Sequence, residues 1–171
     1  SITLEQQRPA FSSQVTINSG DALTTSPAVS LSIAATDAGS GIADYQLSEA
    51  SDFTGGTTTT WRAWTGSPQT AAFTLSADGS RTVYARLRDS VGNISDEATL
   101  NHDAITLDAA GPAFSSAVSI NSAATSTTST TVSVAISATD AGSSIDEYEL
   151  AQTSDFSGGT ATGWLSWSGS P

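Results

Sequence analysis

The chain repeats itself without a gap. Residues 1–68 align with residues 104–171, and 39 of the 68 aligned pairs are identical. A repeat of 103 residues has the size of a single domain, so each copy is long enough to enclose a core of its own. We expect residues 1–8 to be the end of a preceding repeat or a linker, residues 9–108 to form a complete module, residues 109–111 to be a linker, and residues 112–171 to form an incomplete second module.

Apolar residues alternate with small polar residues along much of each copy. Val29, Leu31 and Ile33 alternate with serine, and the second copy has Val132, Val134 and Ile136 in the same places. This period of two is typical of a strand with one face in a core. About seven such strands per module, separated by Gly, Asp, Asn and Ser turns, predict an all-β fold, namely an antiparallel two-sheet sandwich.

Residues 112–171 contain no counterpart of residues 69–103. They therefore lack the strands that carry Phe73, Val83 and Leu87. Each buried apolar side chain contributes about 1.5–3 kcal/mol, so we expect residues 112–171 not to fold alone. The missing strands would come from a continuation of the chain, which is the simpler case, or from a strand-donating copy of the same protein.

Composition argues against several functions. The chain has 17 acidic and 5 basic residues, so it has no basic patch for nucleic acid. It contains no cysteine and a single histidine, His102, without a matching nucleophile, so we expect no catalysis. No apolar run is long enough to span a bilayer, and we expect no membrane insertion of this segment.

Four motifs resemble those of a known family. They are residues 37–42 (DAGSGI), the pair Trp61 and Trp64, residues 83–93 (VYARLRDSVGN) and residues 105–112 (ITLDAAGP). In this order they are similar to bacterial immunoglobulin-like (fibronectin-like) repeats, which form tandem arrays in large surface adhesins. The resemblance implies an immunoglobulin-like sandwich on the cell surface or outside the cell. It also implies an extender that projects a distal binding domain, with neighbouring repeats as partners and calcium at the joints.

Aspartates are the candidate calcium ligands. Asp37, Asp89 and Asp108 each follow a strand, Asn93 adds an amide oxygen, and Asp140 would be recruited from the second module, since calcium takes six to eight oxygens. The alternative is that Asp37 and Asp140 accept hydrogen bonds from amides of their own loops and that Asp89 closes its turn. The first joint departs from the family pattern, because residues 5–8 (EQQR) replace residues 108–111 (DAAG).

The tryptophans give a second hypothesis. Trp61 and Trp64 are three residues apart, so in an extended chain they face opposite sides, one inward and one outward. Exposed indoles bind sugar rings, and Trp64 and Trp167 could form a carbohydrate-binding module, although core packing is the more usual role of tryptophan in a sandwich. A third hypothesis is a subunit of an extracellular filament that is completed by strand addition.

Overall fold

The computed structural model describes residues 4–96, 99–156 and 160–169. Contacts divide the chain into a first unit, Ser1–Ala109, and a second unit, Ala110–Pro171. The described residues form strands, turns and one short 3-10 helix, Asn121–Ala123, and they include no α-helix. The prediction of an all-β chain is therefore confirmed.

The described residues of the first unit form ten strands, most of them short. They are β1 (Ala10–Phe11), β2 (Thr16–Ile17), β3 (Leu23–Thr24), β4 (Ala28–Ile33), β5 (Ala35–Thr36), β6 (Ile42–Ser48), β7 (Arg62–Ala63), β8 (Gln69–Thr74), β9 (Gly79–Asp89) and β10 (His102–Leu107). Turns with glycine, asparagine or serine separate them, as at Asn18, Ser19 and Gly20, which all have positive φ.

Two larger sheets build the first unit. One has three strands in the order β2-β4-β8, and the other has five in the order β3-β10-β9-β6-β7. All pairs in them are antiparallel except β3 with β10, which is parallel. A further antiparallel pair joins β1 to β5. The sequence did not predict β3, because its two residues show no alternation.

Both sheets contribute to one core. Ile17, Leu31, Ile33 and Phe73 come from the three-stranded sheet, whereas Leu47, Val83, Leu87 and Ile105 come from the five-stranded sheet, and all are buried. Burial along β4 alternates strictly, as the period of two predicts. Several antiparallel sheets around a shared core are consistent with a β-sandwich.

Six short strands are found among residues 110–156 and 160–169 of the second unit. They are β11 (Ala113–Phe114), β12 (Ser119–Ile120), β13 (Val134–Ala135), β14 (Ala138–Thr139), β15 (Glu147–Tyr148) and β16 (Leu165–Ser166). They form three antiparallel pairs, β11 with β14, β12 with β13, and β15 with β16. Each pair has the register of a first-unit pair shifted by 103 residues: Ile17 lies opposite Leu31, for example, and Ile120 lies opposite Val134.

Apolar side chains that are buried in the first unit are exposed in the second. Ile17 and Phe11 are 0% and 4% exposed, whereas their counterparts Ile120 and Phe114 are 52% and 70% exposed. The described residues of the second unit include no counterpart of β8, β9 or β10. An apolar face that these three strands cover in the first unit is therefore open to water in the second.

Candidate functional site

The polar residues predicted as calcium ligands lie at two ends of the first unit. We call the first the entry end, defined by Glu5, Gln7, Asp37, Asp89 and Asn93, because the chain enters the unit there. Gln7 is fixed to this end through its carbonyl oxygen, which accepts a hydrogen bond from Asn93 Nδ2 at 3.2 Å. The entry end thus brings together three of the predicted residues, Asp37, Asp89 and Asn93.

Asp89 closes a turn with both carboxylate oxygens. Its Oδ1 accepts hydrogen bonds from the backbone N–H groups of Val91 at 3.0 Å and Asn93 at 2.7 Å, and its Oδ2 accepts one from Asn93 Nδ2 at 2.7 Å. Burial raises the pKa of Asp89, but the hydrogen bonds from Asn93 and Val91 outweigh it and hold the pKa below its usual value. The Asp89 carboxylate is thus already satisfied by its own turn.

Asp37 has one satisfied and one unsatisfied oxygen. Its Oδ1 accepts a hydrogen bond from the N–H of Gly39 at 3.0 Å, the turn that was the alternative interpretation. Its Oδ2 is shielded from solvent and has no hydrogen-bond partner in the described part of the chain. The Glu5 carboxylate lies against Gly39, where a Cβ would overlap it. A second carboxylate therefore reaches the Asp37 loop, and the sequence did not predict its role there.

Asp108 lies at the opposite end of the unit. We call this the exit end, defined by Thr24, Asp78, Gly79, Asp108 and Ala109. The N–H of Asp108 donates to the Thr24 carbonyl at 2.9 Å, and that of Ala109 donates to Asp78 Oδ1 at 3.0 Å. One side-chain oxygen, Asp108 Oδ1, is shielded and has no hydrogen-bond partner among the described residues.

The two ends are separated by the whole of β9. Leu107 lies opposite Gly79 at the start of this eleven-residue strand, and Asp89 is its last residue. At about 3.3 Å per residue the strand is about 33 Å long. Asp108 therefore cannot share a metal ion with Asp37 and Asp89 of the same unit, which corrects the expectation that loops carrying these three residues converge at one end.

In the second unit, Asp140 Oδ1 accepts hydrogen bonds from the N–H groups of Gly142 at 3.0 Å and Ser143 at 3.1 Å. This is the loop geometry that Asp37 has in the first unit. Within the described ranges, no three His, Cys, Asp or Glu side chains are grouped closely enough to hold a metal ion. Calcium binding stays a prediction.

Trp64 packs inward. It lies against the core of the first unit and contacts Tyr45 edge to face, with ring centroids 6.4 Å apart. Trp167 meets Tyr148 in the same way at 6.0 Å. The indoles that the carbohydrate hypothesis assigns to sugar binding therefore make packing contacts in both units.

Trp61 faces outward, as the spacing of the two tryptophans predicts. The guanidinium groups of Arg86 and Arg88 lie 5.1 and 4.6 Å from its ring, and Arg86 also lies 4.4 Å from the Phe53 ring. Arg88 pairs with Asp44 at 2.5 Å. Burial lowers the pKa of Arg86. The alternation of residues 83–88 contains the signal for this cluster, because it places both arginines on the outer face of β9.

His102 lies on β10 and stacks on Tyr84, with ring centroids 5.2 Å apart. Its Nδ1 is 3.2 Å from Asn101 Oδ1. These are the contacts of a histidine on the face of a sheet, and the absence of catalysis stays a prediction.

No protein-family model, curated protein or solved structure matches this chain. The described residues also contain no helix with the length and apolar character needed to cross a membrane.

Proposed function

We propose that this chain is a spacer, that is, an extender segment of an extracellular repeat protein. In each unit the chain enters at one end and leaves at the other, so that tandem units project a distal binding domain from the cell surface. One observation supports the proposal above the others. In the first unit the chain enters at the end of β9 that holds Asp89 and leaves at the end that holds Gly79.

The distance between these ends decides what tandem copies can do. Each unit adds roughly the length of β9, about 33 Å, between successive joints. A domain with both termini at the same end would instead fold back, and repeating it would add little length. Repeats are favourable for a spacer also because each copy needs contacts only with its neighbours.

The proposal includes an immunoglobulin-like arrangement of the strands. Its support is the pair of sheets, of three and five strands, that face one core. A spacer also has to resist unfolding without disulfides, since the chain has no cysteine. The continuous apolar interior of the first unit supplies that stability.

Calcium at the entry end is the second part of the proposal. The shielded, unpartnered Asp37 Oδ2 and the neighbouring Glu5 carboxylate would hold the ion, with carbonyl oxygens and water completing the shell. Asp89 contributes through the loop rather than as a ligand, because its own turn occupies both of its oxygens. Such an ion would tie the linker at Glu5 to the Asp37 loop and stiffen the joint.

Concatemers test the spacer role. We would join two, four and six copies of residues 6–108 in one chain and measure the maximum dimension by small-angle X-ray scattering. A spacer predicts a linear increase of about 35 Å for each added copy. Control concatemers with long Gly/Ser linkers at the joints should lengthen only as the square root of chain length. If the direct concatemers grow no faster than compact globules, the proposal is wrong.

Carbohydrate binding is the competing function, and the packing of Trp64 and Trp167 does not favour it. A sugar-binding platform needs an indole face turned to solvent, whereas both indoles meet a tyrosine edge to face. A glycan array probed with the whole chain separates the two functions. Binding that is lost in Trp64→Phe, with the fold of the first unit intact, would favour the carbohydrate module.

A further inference from the structure

β8 lies at the edge of the three-stranded sheet of the first unit. In the described part of the chain, the order β2-β4-β8 leaves one side of this strand without a strand partner. Its sequence, QTAAFT, contains no charged residue and no proline, and its solvent-facing side chains, Thr70, Ala72 and Thr74, are small. An open edge of this kind is a template for pairing with another chain, and charges or proline are what usually prevent it. The strand itself has neither.

The register shows which backbone groups of β8 point to its open side. Ala72 lies opposite Ser30 of β4, and the Ser30 carbonyl accepts a hydrogen bond from the Asn18 N–H on the far side of β4. Opposite residues of an antiparallel pair point their backbone groups either toward each other or away from each other. Since Ser30 points away from β8, Ala72 points away from β4. By the same alternation Thr70 and Thr74 also point to the open side.

Arg62 covers the middle of this open edge. It belongs to β7, which is the edge strand of the five-stranded sheet, and its side chain reaches across to β8. Its Nη1 donates a hydrogen bond to the Ala72 carbonyl oxygen at 2.8 Å. A second strand needs that oxygen as an acceptor and would have to displace the guanidinium group. The guanidinium also places a positive charge on an edge that has no charge of its own, and two such edges repel each other.

Two further side chains bond to backbone groups on either side of this contact. Gln69 Nε2 donates to the Thr70 carbonyl at 2.7 Å, and the amide is held in place because its Oε1 accepts a hydrogen bond from the Thr65 N–H at 2.8 Å. Just after β8, the N–H of Ser76 donates to Glu49 Oε1 at 3.1 Å. Three side chains from different parts of the first unit thus occupy backbone groups that an added strand would need.

We propose that Arg62, Gln69 and Glu49 form an edge guard, which keeps β8 of one chain from pairing with β8 of a second copy. Without the edge guard the two strands pair antiparallel about a two-fold axis, with Ala72 opposite Ala72. Threonine then meets threonine on either side, and the solvent-facing side chains that come together are small and uncharged. The inference depends only on contacts within the first unit, so it is independent of the spacer role.

Arg62→Ala tests the edge guard in the intact chain of 171 residues. Amide hydrogen exchange is followed by NMR at about 20 µM and at about 1 mM, a range that detects weak pairing. At the higher concentration we expect exchange at Thr70, Ala72 and Thr74 to slow at least about fivefold in the variant but not in the unaltered chain. Arg62→Lys keeps a charged donor, and Arg8→Ala removes the same charge elsewhere in the first unit. Both controls should behave like the unaltered chain.

A second change tests whether β8 is the strand that pairs. Proline has no N–H and is accepted at a sheet edge, so adding Ala72→Pro to Arg62→Ala should remove the slowing at Thr70 and Thr74. Glu49→Ala opens the far end of the edge and should also give slowing that depends on concentration. If neither Arg62→Ala nor Glu49→Ala shows such slowing, or if the unaltered chain shows it equally, the proposal is wrong. Slowing confined to amides of the second unit would overturn it too, because association would then not use β8.

Discussion

The repeat provides a matched pair of core substitutions within one molecule. Ile17 and Ile120 have the same side chain and the same strand register, with leucine opposite one and valine opposite the other. Ile17 is 0% exposed and Ile120 is 52% exposed. Any difference between Ile17→Ala and Ile120→Ala therefore reports burial rather than strand propensity.

The expected magnitudes follow from that burial. Removing three carbons from a closed core costs about 3 kcal/mol, through lost transfer free energy and the cavity that remains. An exposed isoleucine in a short strand should cost less than about 0.5 kcal/mol. With a urea m-value of about 1.5 kcal/mol/M, Ile17→Ala should lower the midpoint of the first unit by about 2 M, whereas Ile120→Ala should move that same midpoint by less than about 0.3 M.

The assay is a urea titration followed by NMR, in which resolved amide signals report each unit separately. Ile17→Val is a milder control and should cost about 1 kcal/mol. Equal shifts for the two alanine variants would refute the reasoning, because they would mean that Ile120 is as well enclosed as Ile17. If Ile17→Ala lowers the urea midpoint of the first unit by less than Ile17→Val does, the core is not closed around Ile17.

Three further predictions concern the candidate site. Hydrogen bonds hold the pKa of Asp89 below its usual value, so its contribution to stability is present above about pH 4 and is lost as the pH falls through the lowered pKa. In Asp89→Asn, the free energy of unfolding of the first unit, measured by urea titration, should therefore depend less on pH below about pH 4. Trp64→Ala should cost about 2–3 kcal/mol in the same titration and Trp61→Ala about 1 kcal/mol, since Trp64 packs on the core whereas Trp61 makes cation–π contacts, and the reverse order would contradict the assignment. After treatment of the chain with a chelator, added calcium should raise the melting temperature of the first unit. Asp37→Asn should remove this effect and the control Asp108→Asn should keep it, and a melting temperature that calcium does not change would exclude the entry-end site.

Period-two alternation was sufficient to predict the main strands. The alternation of Val29, Leu31 and Ile33 predicted the inner face of β4, and the odd spacing of Trp61 and Trp64 predicted that they face opposite sides. Both predictions depend only on the geometry of an extended chain. They needed no knowledge of which strands pair.

The rest depended on pairing between distant parts of the chain. Which tryptophan faces inward is set by the pairing of β6 with β7, and β3 exists only because the distant strand β10 pairs with it. The separation of Asp108 from Asp89 likewise follows from the antiparallel pairing of β9 with β10. A sequence shows that a residue lies at the end of a strand, but it does not show at which end of the domain that residue lies.

The most direct test of the account is the distance between the two ends of the first unit. The chain has no cysteine, so Gln7→Cys with Ala109→Cys places spin labels at the entry and exit ends alone. Gln7 is hydrogen-bonded to Asn93 at one end of β9, and Ala109 is hydrogen-bonded to Asp78 at the other. Pulsed electron spin resonance should give a single narrow distribution centred at about 35 Å. A distance below about 20 Å would place both ends on one side of the unit and contradict the proposal that it is a spacer.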